Sequence, residues 1–412
     1  MRKPKHRQAT VKSKFMPRFA WIALTNKCNL KCTHCQRELL KDQGLLKARE
    51  MTWELFKKLE EEVFPYLERI QFGGNNFGEQ LGFSKWDEAF EIVSKLEIDV
   101  SLVTNGTLLD PDRIKTLIDA GVELNFSLEG ASKETYEAVR GFRFNKFFDI
   151  VKRACEEKIK KPQKGAQVNL GFTIFYDNVR EVTNLIFMAD RIGVDRIIVT
   201  HFAPWKESQR RQSLVYHKEL CNQMLEKAKN LAVDCDIRID LPKHFRSDER
   251  QGQPEPLKRN QTTPCFHPWR SFSINEMGDV MPCCATSAVM GNLRRSSFND
   301  IWNGPKYRKL RKTVNSSNPL VFCRNCAFRE IDIESSQPIS FWSDEEFLLA
   351  AIGTEKTMNS SFLVLRKVKQ RLTRSGGGQW LLPYLIEIYR RHGAFYITDI
   401  YDNLLKTLAK RF

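Results

Sequence analysis

Short apolar runs alternate with amphipathic stretches through the first half of the chain. Six runs, at 19–24, 69–72, 100–103, 124–128, 168–175 and 196–200, are apolar or β-branched and bounded by polar or glycine residues, as buried strands are. Between them the apolar positions recur at helical spacing. Thr52 predicts an N-cap for a helix with Leu55, Phe56, Leu59 and Val63 on one face. Phe90, Val93 and Leu96 mark a second helix, and Ile114, Leu117 and Ile118 a third that stops at Gly121. Six β-then-α units predict parallel strands with right-handed crossovers, either most of a (β/α)8 barrel or a doubly wound sheet. In both, active residues collect at the carboxyl ends of the strands.

The first such end carries chemistry. Just past Leu24, Cys28, Cys32 and Cys35 are spaced C-x3-C-x2-C, which supplies three thiolates from one short loop. Four thiolates close a tetrahedral zinc site or cap every iron of a [4Fe–4S] cube, whereas three leave one iron with an open position. A zinc knuckle that borrows His34 is the alternative, strained because His34 adjoins Cys35. Further strand ends carry Gly73 to Glu79, then Thr104-Asn105-Gly106, then Ser127 to Gly130 followed by Tyr136 to Gly141 with Arg140.

In this order, the motifs resemble those of radical S-adenosylmethionine (SAM) enzymes over about residues 17–235. The resemblance implies that Cys28, Cys32 and Cys35 hold a [4Fe–4S] cluster whose open iron chelates SAM. Gly78, Glu79, Thr104, Asn105, Ser127 and Arg140 are then the expected SAM contacts: the glycine-rich backbone approaches SAM, Glu79 meets its ammonium, and Ser127 and Arg140 its ribose and carboxylate. An arginine suits the last role because its planar fork pairs with a carboxylate. Gln80 departs from the family's proline, and the Asn75-Asn76-Phe77 insert is unusual. The reaction implied is reductive cleavage of SAM to a 5′-deoxyadenosyl radical, with an electron donor such as flavodoxin or ferredoxin, and hydrogen abstraction from substrate.

A second cysteine set, Cys265, Cys283, Cys323 and Cys326, with a hairpin turn expected at Gly278, resembles the SPASM auxiliary-cluster domain in its shortened "twitch" form. Four thiolates suit a [4Fe–4S] cube or zinc, and the resemblance favours one auxiliary [4Fe–4S] cluster. Cys284 adjoins a ligand and is a candidate alternate ligand or catalytic hydrogen-atom donor. Cys155 and Cys221 read as small buried hydrophobes. His201, Asp195 and Glu207, near the sixth run, are candidate acid–base groups beside the plainer reading of surface polarity.

The expected fold class is α/β: a partial (β/α)6 TIM-type barrel with a small cysteine-rich auxiliary domain and a helical C-terminal extension. The expected divisions are a basic arm at 1–16, the barrel at 17–240, a polar, Pro/Gln-rich linker at 241–264, the auxiliary domain at 265–330, and an extension at 331–412 ending in an amphipathic run from Trp380. Hydrophobic residues at 42% are ample for a core. No run approaches the ~18–20 apolar residues of a membrane span, and eleven cysteines without a secretory segment predict a reducing, cytoplasmic setting.

A net charge of +16 suggests acidic partners. A peptide substrate stands first, and radical dehydrogenation of a sugar or aminocyclitol second. An RNA-modifying or nucleic-acid-binding protein is a further alternative, without a recognisable RNA-binding module, as is a zinc-stabilised scaffold without catalysis. Contact of the basic, apolar tail with anionic lipid is weaker than packing of that tail as a helix.

Overall fold

The computed structural model describes residues 16–73, 78–160, 165–204, 206–245, 265–316, 318–324 and 326. All but Met16 of the expected N-terminal arm at 1–16, most of the linker and the C-terminal extension lie outside these residues.

All six predicted strands form: β1 (Phe19–Ile22), β2 (Arg69–Phe72), β3 (Asp99–Thr104), β4 (Glu123–Leu128), β5 (Gln167–Ile174) and β6 (Arg196–His201). They pair in sequence order, each parallel to the next. Strand β7 (Arg238–Asp240) extends the sheet beyond β6. At the other edge β8 (Ser271–Ile274) lies parallel to β1, followed by antiparallel β9 (Asp279–Met281) and β10 (Gly291–Asn292). The cysteine-rich segment, expected as a domain of its own, therefore begins by continuing the same sheet. Gly278, with φ +85°, makes the expected hairpin turn between β8 and β9.

The helices are α1 (Gln36–Asp42), α2 (Trp53–Glu62), α3 (Trp86–Ser94), α4 (Pro111–Asp119), α5 (Lys133–Arg140), α6 (Phe144–Lys160), α7 (Val182–Ile192) and α8 (Lys218–Asp234). The later segment adds α9 (His267–Arg270), α10 (Phe298–Trp302), α11 (Pro305–Thr313) and α12 (Val321–Arg324). Thr52 caps α2 by accepting from the Leu55 amide, and Asp110 caps α4 in the same way through Arg113. The apolar faces of α2 and α4 are buried as predicted. Leu96 is a correction: α3 ends at Ser94, so Leu96 falls past the periodic face and is exposed.

The chain divides into two compact units, and the first contains the whole sheet. The described part of the second is 36–47, with α1, and 287–289.

Alternation along β4 sorts its side chains. Leu124, Phe126 and Leu128 are buried, and Phe126 meets Phe147 of α6 edge-on at 6.1 Å. Asn125 and Ser127 take the opposite face. There Asn125 Nδ2 donates to Ser101 Oγ at 2.9 Å, and Asn169 Nδ2 donates to Asn125 Oδ1 at 3.1 Å. A polar ladder thus crosses β3, β4 and β5 on the face away from α6, with Ser127 one step nearer the carboxyl ends.

Candidate active site at the carboxyl ends of the strands

Parallel pairing collects the ends of β1 to β6 on one side of the sheet, and the cysteine loop grows from β1. The Leu24 and Thr25 amides both donate to Gln80 Oε1, at 2.7 and 3.3 Å. Gln80 Nε2 donates in turn to the carbonyls of Thr25 at 3.1 Å and Gly78 at 3.5 Å. One buried amide thus sutures the end of β1 to the turn after β2, which gives a physical reason for glutamine where the resemblance expects proline. Asn26 follows, donating to the buried Glu276 carboxylate at 2.7 Å and accepting from the Arg49 amide at 2.7 Å. The root of the loop is thereby tied to the β8–β9 turn.

Donors are aimed at the loop's sulfurs. Cys28 Sγ accepts from the Leu30 amide at 3.5 Å and from Asn105 Nδ2 at 3.8 Å. Cys32 Sγ accepts from Arg140 Nη1 at 3.6 Å. Burial pushes the Cys32 thiol up to about 11, opposed by the Arg140 charge. Arg140 is itself paired with Glu129, and Glu129 with Cys32 outweighs burial to hold the guanidinium firmly charged. The Tyr136 hydroxyl, fully buried, has no hydrogen-bond partner among the described residues, and it feels the charges of Arg140, Glu129 and Cys32.

Three soft thiols in one loop, with donors turned toward Cys28 and Cys32, fit a three-thiolate cluster. His34, the knuckle's would-be ligand, lodges its ring 4.4 Å from Phe175 and 4.7 Å from Phe202, and burial lowers its pKa.

The expected SAM contacts divide. Glu79 is buried, and its carboxylate accepts from Thr104 Oγ1 at 2.8 Å, the Asn105 amide at 2.7 Å and the Leu81 amide at 3.4 Å. Burial, the largest influence, raises its pKa despite those donors. Glu79 and Thr104 are thus satisfied by one another and hold the ends of β2 and β3 together. Gly78, with φ +103°, leaves room for no side chain, because a Cβ there would lie 2.3 Å from the Thr25 carbonyl oxygen. Asn105 and Arg140 face the thiols, and Ser127 sits on the polar-ladder side of β4.

Near Cys283, just past β9, lie Cys284, Cys323 and Cys326, whose charges add to the burial that raises its thiol pKa. Burial also pushes Cys284 up to about 11. Cys265 is pinned at the start of α9 by a reciprocal pair of bonds with Asn315, at 2.8 and 2.9 Å. Cys155 and Cys221 are fully buried, each pushed by burial to about 12, in keeping with a packing role.

Asp195 requires correction. It precedes β6 and so lies at the opposite end of that strand, where it accepts from Lys158 Nζ at 2.6 Å and the Val168 amide at 2.7 Å. Glu207 is exposed and 3.4 Å from Arg210. His201 does end β6, its ring tilted against Phe245 at 4.7 Å, and burial lowers its pKa to about 4.

Sequence reasoning missed the bracing residues. Asn178 donates to the carbonyls of Glu129 at 2.9 Å and Thr173 at 2.8 Å, fixing the strand end that carries Arg140's partner. Glu181 accepts from the Ala131 and Ser132 amides and the Ser132 and Thr135 hydroxyls, anchoring the start of α5. Neither sits in a recognisable pattern; the one available signal is the N-cap sequence at Ser132.

Residues 22–188 match the radical SAM superfamily, and residues 265–327 match SPASM, an iron–sulfur cluster-binding domain. The chain is a radical SAM protein with a C-terminal SPASM domain. Its cofactors are accordingly [4Fe–4S] clusters and SAM. Among relatives, it is 25% identical to the tungsten-containing aldehyde ferredoxin oxidoreductase cofactor-modifying protein of Pyrococcus furiosus, over 80% of this chain and 92% of that protein. It is 24% identical to the PqqA peptide cyclase of Gluconobacter oxydans, over 75% of this chain and 82% of the relative. In fold, the radical SAM chain resembles Streptococcus suis SuiB bound to S-adenosylmethionine, with TM-score 0.53 at 16% identity over 72% of this chain and 66% of SuiB. It also resembles anSMEcpe with bound AdoMet, with TM-score 0.53 at 20% identity over 71% and 79% of the two chains. No described helix is long and apolar enough to cross a membrane.

Proposed function

We propose that this radical SAM enzyme modifies a peptide, with Cys28, Cys32 and Cys35 holding the SAM-binding cluster and Cys265, Cys283, Cys323 and Cys326 an auxiliary one. The observation that carries the cluster assignment is the three-thiol loop at the end of β1, with Asn105 and Arg140 donating to its sulfurs. Cluster and SAM together, when bound, supply reductive cleavage of SAM and abstraction of a hydrogen atom from an unactivated C–H.

The chain's own residues prepare the site. Gly78 admits close approach of backbone, and Asn105 and Ser127 present polar groups on the ligand side. Arg140, held by Glu129, balances thiolate charge at Cys32. Glu79 and Thr104 act as positioning residues, because their polar groups bind each other and the backbone between β2 and β3. Phe175, Phe202 and Val139 form a buried apolar cluster, and His34 of the loop packs against the first two. Cys284 remains the candidate hydrogen-atom donor, by its place beside Cys283 and Cys326. A protein electron donor of the flavodoxin or ferredoxin type is the expected reductant.

The peptide reading is supported by relatives that are named as peptide cyclases and by a peptide-bound neighbour in fold, SuiB bound to precursor peptide SuiA. The test is anaerobic reconstitution with iron and sulfide, followed by reduction with SAM and chromatography for 5′-deoxyadenosine. The wild type forms it and Cys32→Ala does not; undiminished formation by Cys32→Ala overturns the assignment.

A further inference from the structure

One cavity at the carboxyl end of the sheet plays no part in the cysteine chemistry. It measures about 520 Å3 and is lined by Tyr176, Asp177, Gln212, Tyr216, His217 and the pair Arg210 and Arg211. Tyr176 follows directly on β5, and its amide donates to the Gln212 carbonyl at 2.9 Å, which closes the wall of the cavity. The same wall reaches the cysteine loop, because Gln209 Nε2 donates to the Thr33 carbonyl at 3.3 Å, between Cys32 and Cys35. The cavity and the candidate active site thus share a structural element and open from the same end of the strands.

Its chemistry is specific. Arg210 is committed to Tyr216, with Nε donating to the hydroxyl at 2.5 Å, and to Glu207. Arg211 is exposed and, among the described residues, makes no ion pair or side-chain hydrogen bond. Tyr176 packs at a tilt against His217 at 4.1 Å and carries the Arg180 guanidinium 5.7 Å from its ring centre. Tyr176 and Tyr216 nevertheless stay 36% and 42% exposed, so two aromatic surfaces lie open beside one uncommitted cation. Tyrosine and arginine are the side chains that dominate peptide-binding energies. A guanidinium with free forks pairs with a carboxylate.

We propose that this cavity binds an acidic residue of the peptide substrate, with Arg211 receiving the carboxylate and Tyr176 and Tyr216 flanking its stem. The peptide reading above favours a peptide over a nucleic acid here, and Asp177, which accepts from Gln212 Nε2 at 2.8 Å through one carboxylate oxygen, has the other to offer a peptide N–H. The net charge of +16 steers acidic peptides toward the protein as a whole, and the cavity gives that attraction a docking point. The inference rests on the peptide reading above and narrows it to substrates with an acidic residue away from the modified position.

The experiment uses the full chain, anaerobically reconstituted, and fluorescence anisotropy of labelled Gly/Ser dodecapeptides carrying three Glu or three Gln. The Glu peptide binds and the Gln peptide does not. Arg211→Glu weakens the Glu peptide about tenfold, replacing an attraction with a repulsion, while SAM cleavage without peptide stays at the wild-type rate. Tyr176→Ala weakens it independently of charge. Unchanged affinity in Arg211→Glu, or no binding of the Glu peptide by the wild type, overturns the proposal. So does an RNA dodecamer that binds through Arg211 in its place. Failure of the cluster assignment reads out separately, as 5′-deoxyadenosine formed by Cys32→Ala, and leaves the anisotropy result intact.

Discussion

Replacing Gln80 with leucine tests whether the cysteine loop depends on one buried amide. Leucine is close in volume and removes the side-chain hydrogen bonds to the Leu24 and Thr25 amides and the Thr25 and Gly78 carbonyls. Leu24 and Thr25 are both fully buried, so water does not replace the lost partner. Each buried polar group left unpaired costs about 1–3 kcal/mol. Two amides and one carbonyl make the expected loss about 3–9 kcal/mol, a large share of a typical ~5–15 kcal/mol. At an m-value of about 3 kcal/mol/M, the urea midpoint of the protein falls by about 1–3 M.

Gln80→Glu separates shape from chemistry. One carboxylate oxygen still accepts from the two amides, but the other faces the Thr25 and Gly78 carbonyls with no proton to offer. Protonation restores the donor, so the carboxyl pKa of this variant rises in the folded state. Its stabilisation is full below the unfolded value near 4.3, and is lost as pH rises through the raised one. The Glu variant therefore recovers toward wild type as the buffer is taken from pH 8 to pH 5. Iron content after reconstitution tracks the midpoints in both variants. A leucine variant that unfolds and loads iron like the wild type refutes the argument.

Two other outcomes follow from the same geometry. Gly130→Ala places a Cβ 2.4 Å from the Tyr136 amide nitrogen, with backbone that cannot yield, and so displaces α5 and Arg140; Gly171→Ala, whose nearest atom is 3.7 Å away, is the control. The urea midpoint of Gly130→Ala falls well below that of Gly171→Ala, and equal midpoints count against the clash. His201, held near pKa 4 against an ordinary 6.5, stabilises the fold above the unfolded value and loses that contribution as pH falls. About 2 kcal/mol disappears between pH 7 and pH 5, so His201→Phe shows a flatter pH dependence of stability, by comparison of urea midpoints across that range.

Much of the barrel was legible because its strands are short runs of apolar and β-branched residues between polar boundaries, with an alternating apolar set turned into the core. The spacing of Cys28, Cys32 and Cys35 was legible because the three ligands come from one loop. What eluded the sequence was satisfaction at a distance. Glu79 matched a motif glutamate, yet its acceptors are filled by Thr104 and Asn105 from another strand end. Asp195, by contrast, directly precedes the run 196–200, so its place at the amino end of β6 was already legible in the sequence. The continuation of the sheet by β8 was hidden, since the run Ser271–Ile274 is brief and its partner β1 lies some 250 residues earlier.

The bracing explains why an exposed-looking loop is suited to a reactive cofactor. A cluster with an open position needs its thiolates fixed before ligand arrives, because a loop that must order itself on binding loses affinity to that ordering. Here the loop is held at its root by Gln80 and Asn26, at its middle by Thr33 bonding Val139, and at its sulfurs by Asn105 and Arg140. Asn26 joins Glu276 in the hairpin that leads to Cys283, so one hydrogen bond links the two cysteine sets through the shared sheet. Removing Glu276's partner leaves a carboxylate that is already raised in pKa by burial and now lacks its donor. The roots of the two cysteine sets thus share one sheet and the hydrogen bond from Asn26 to Glu276.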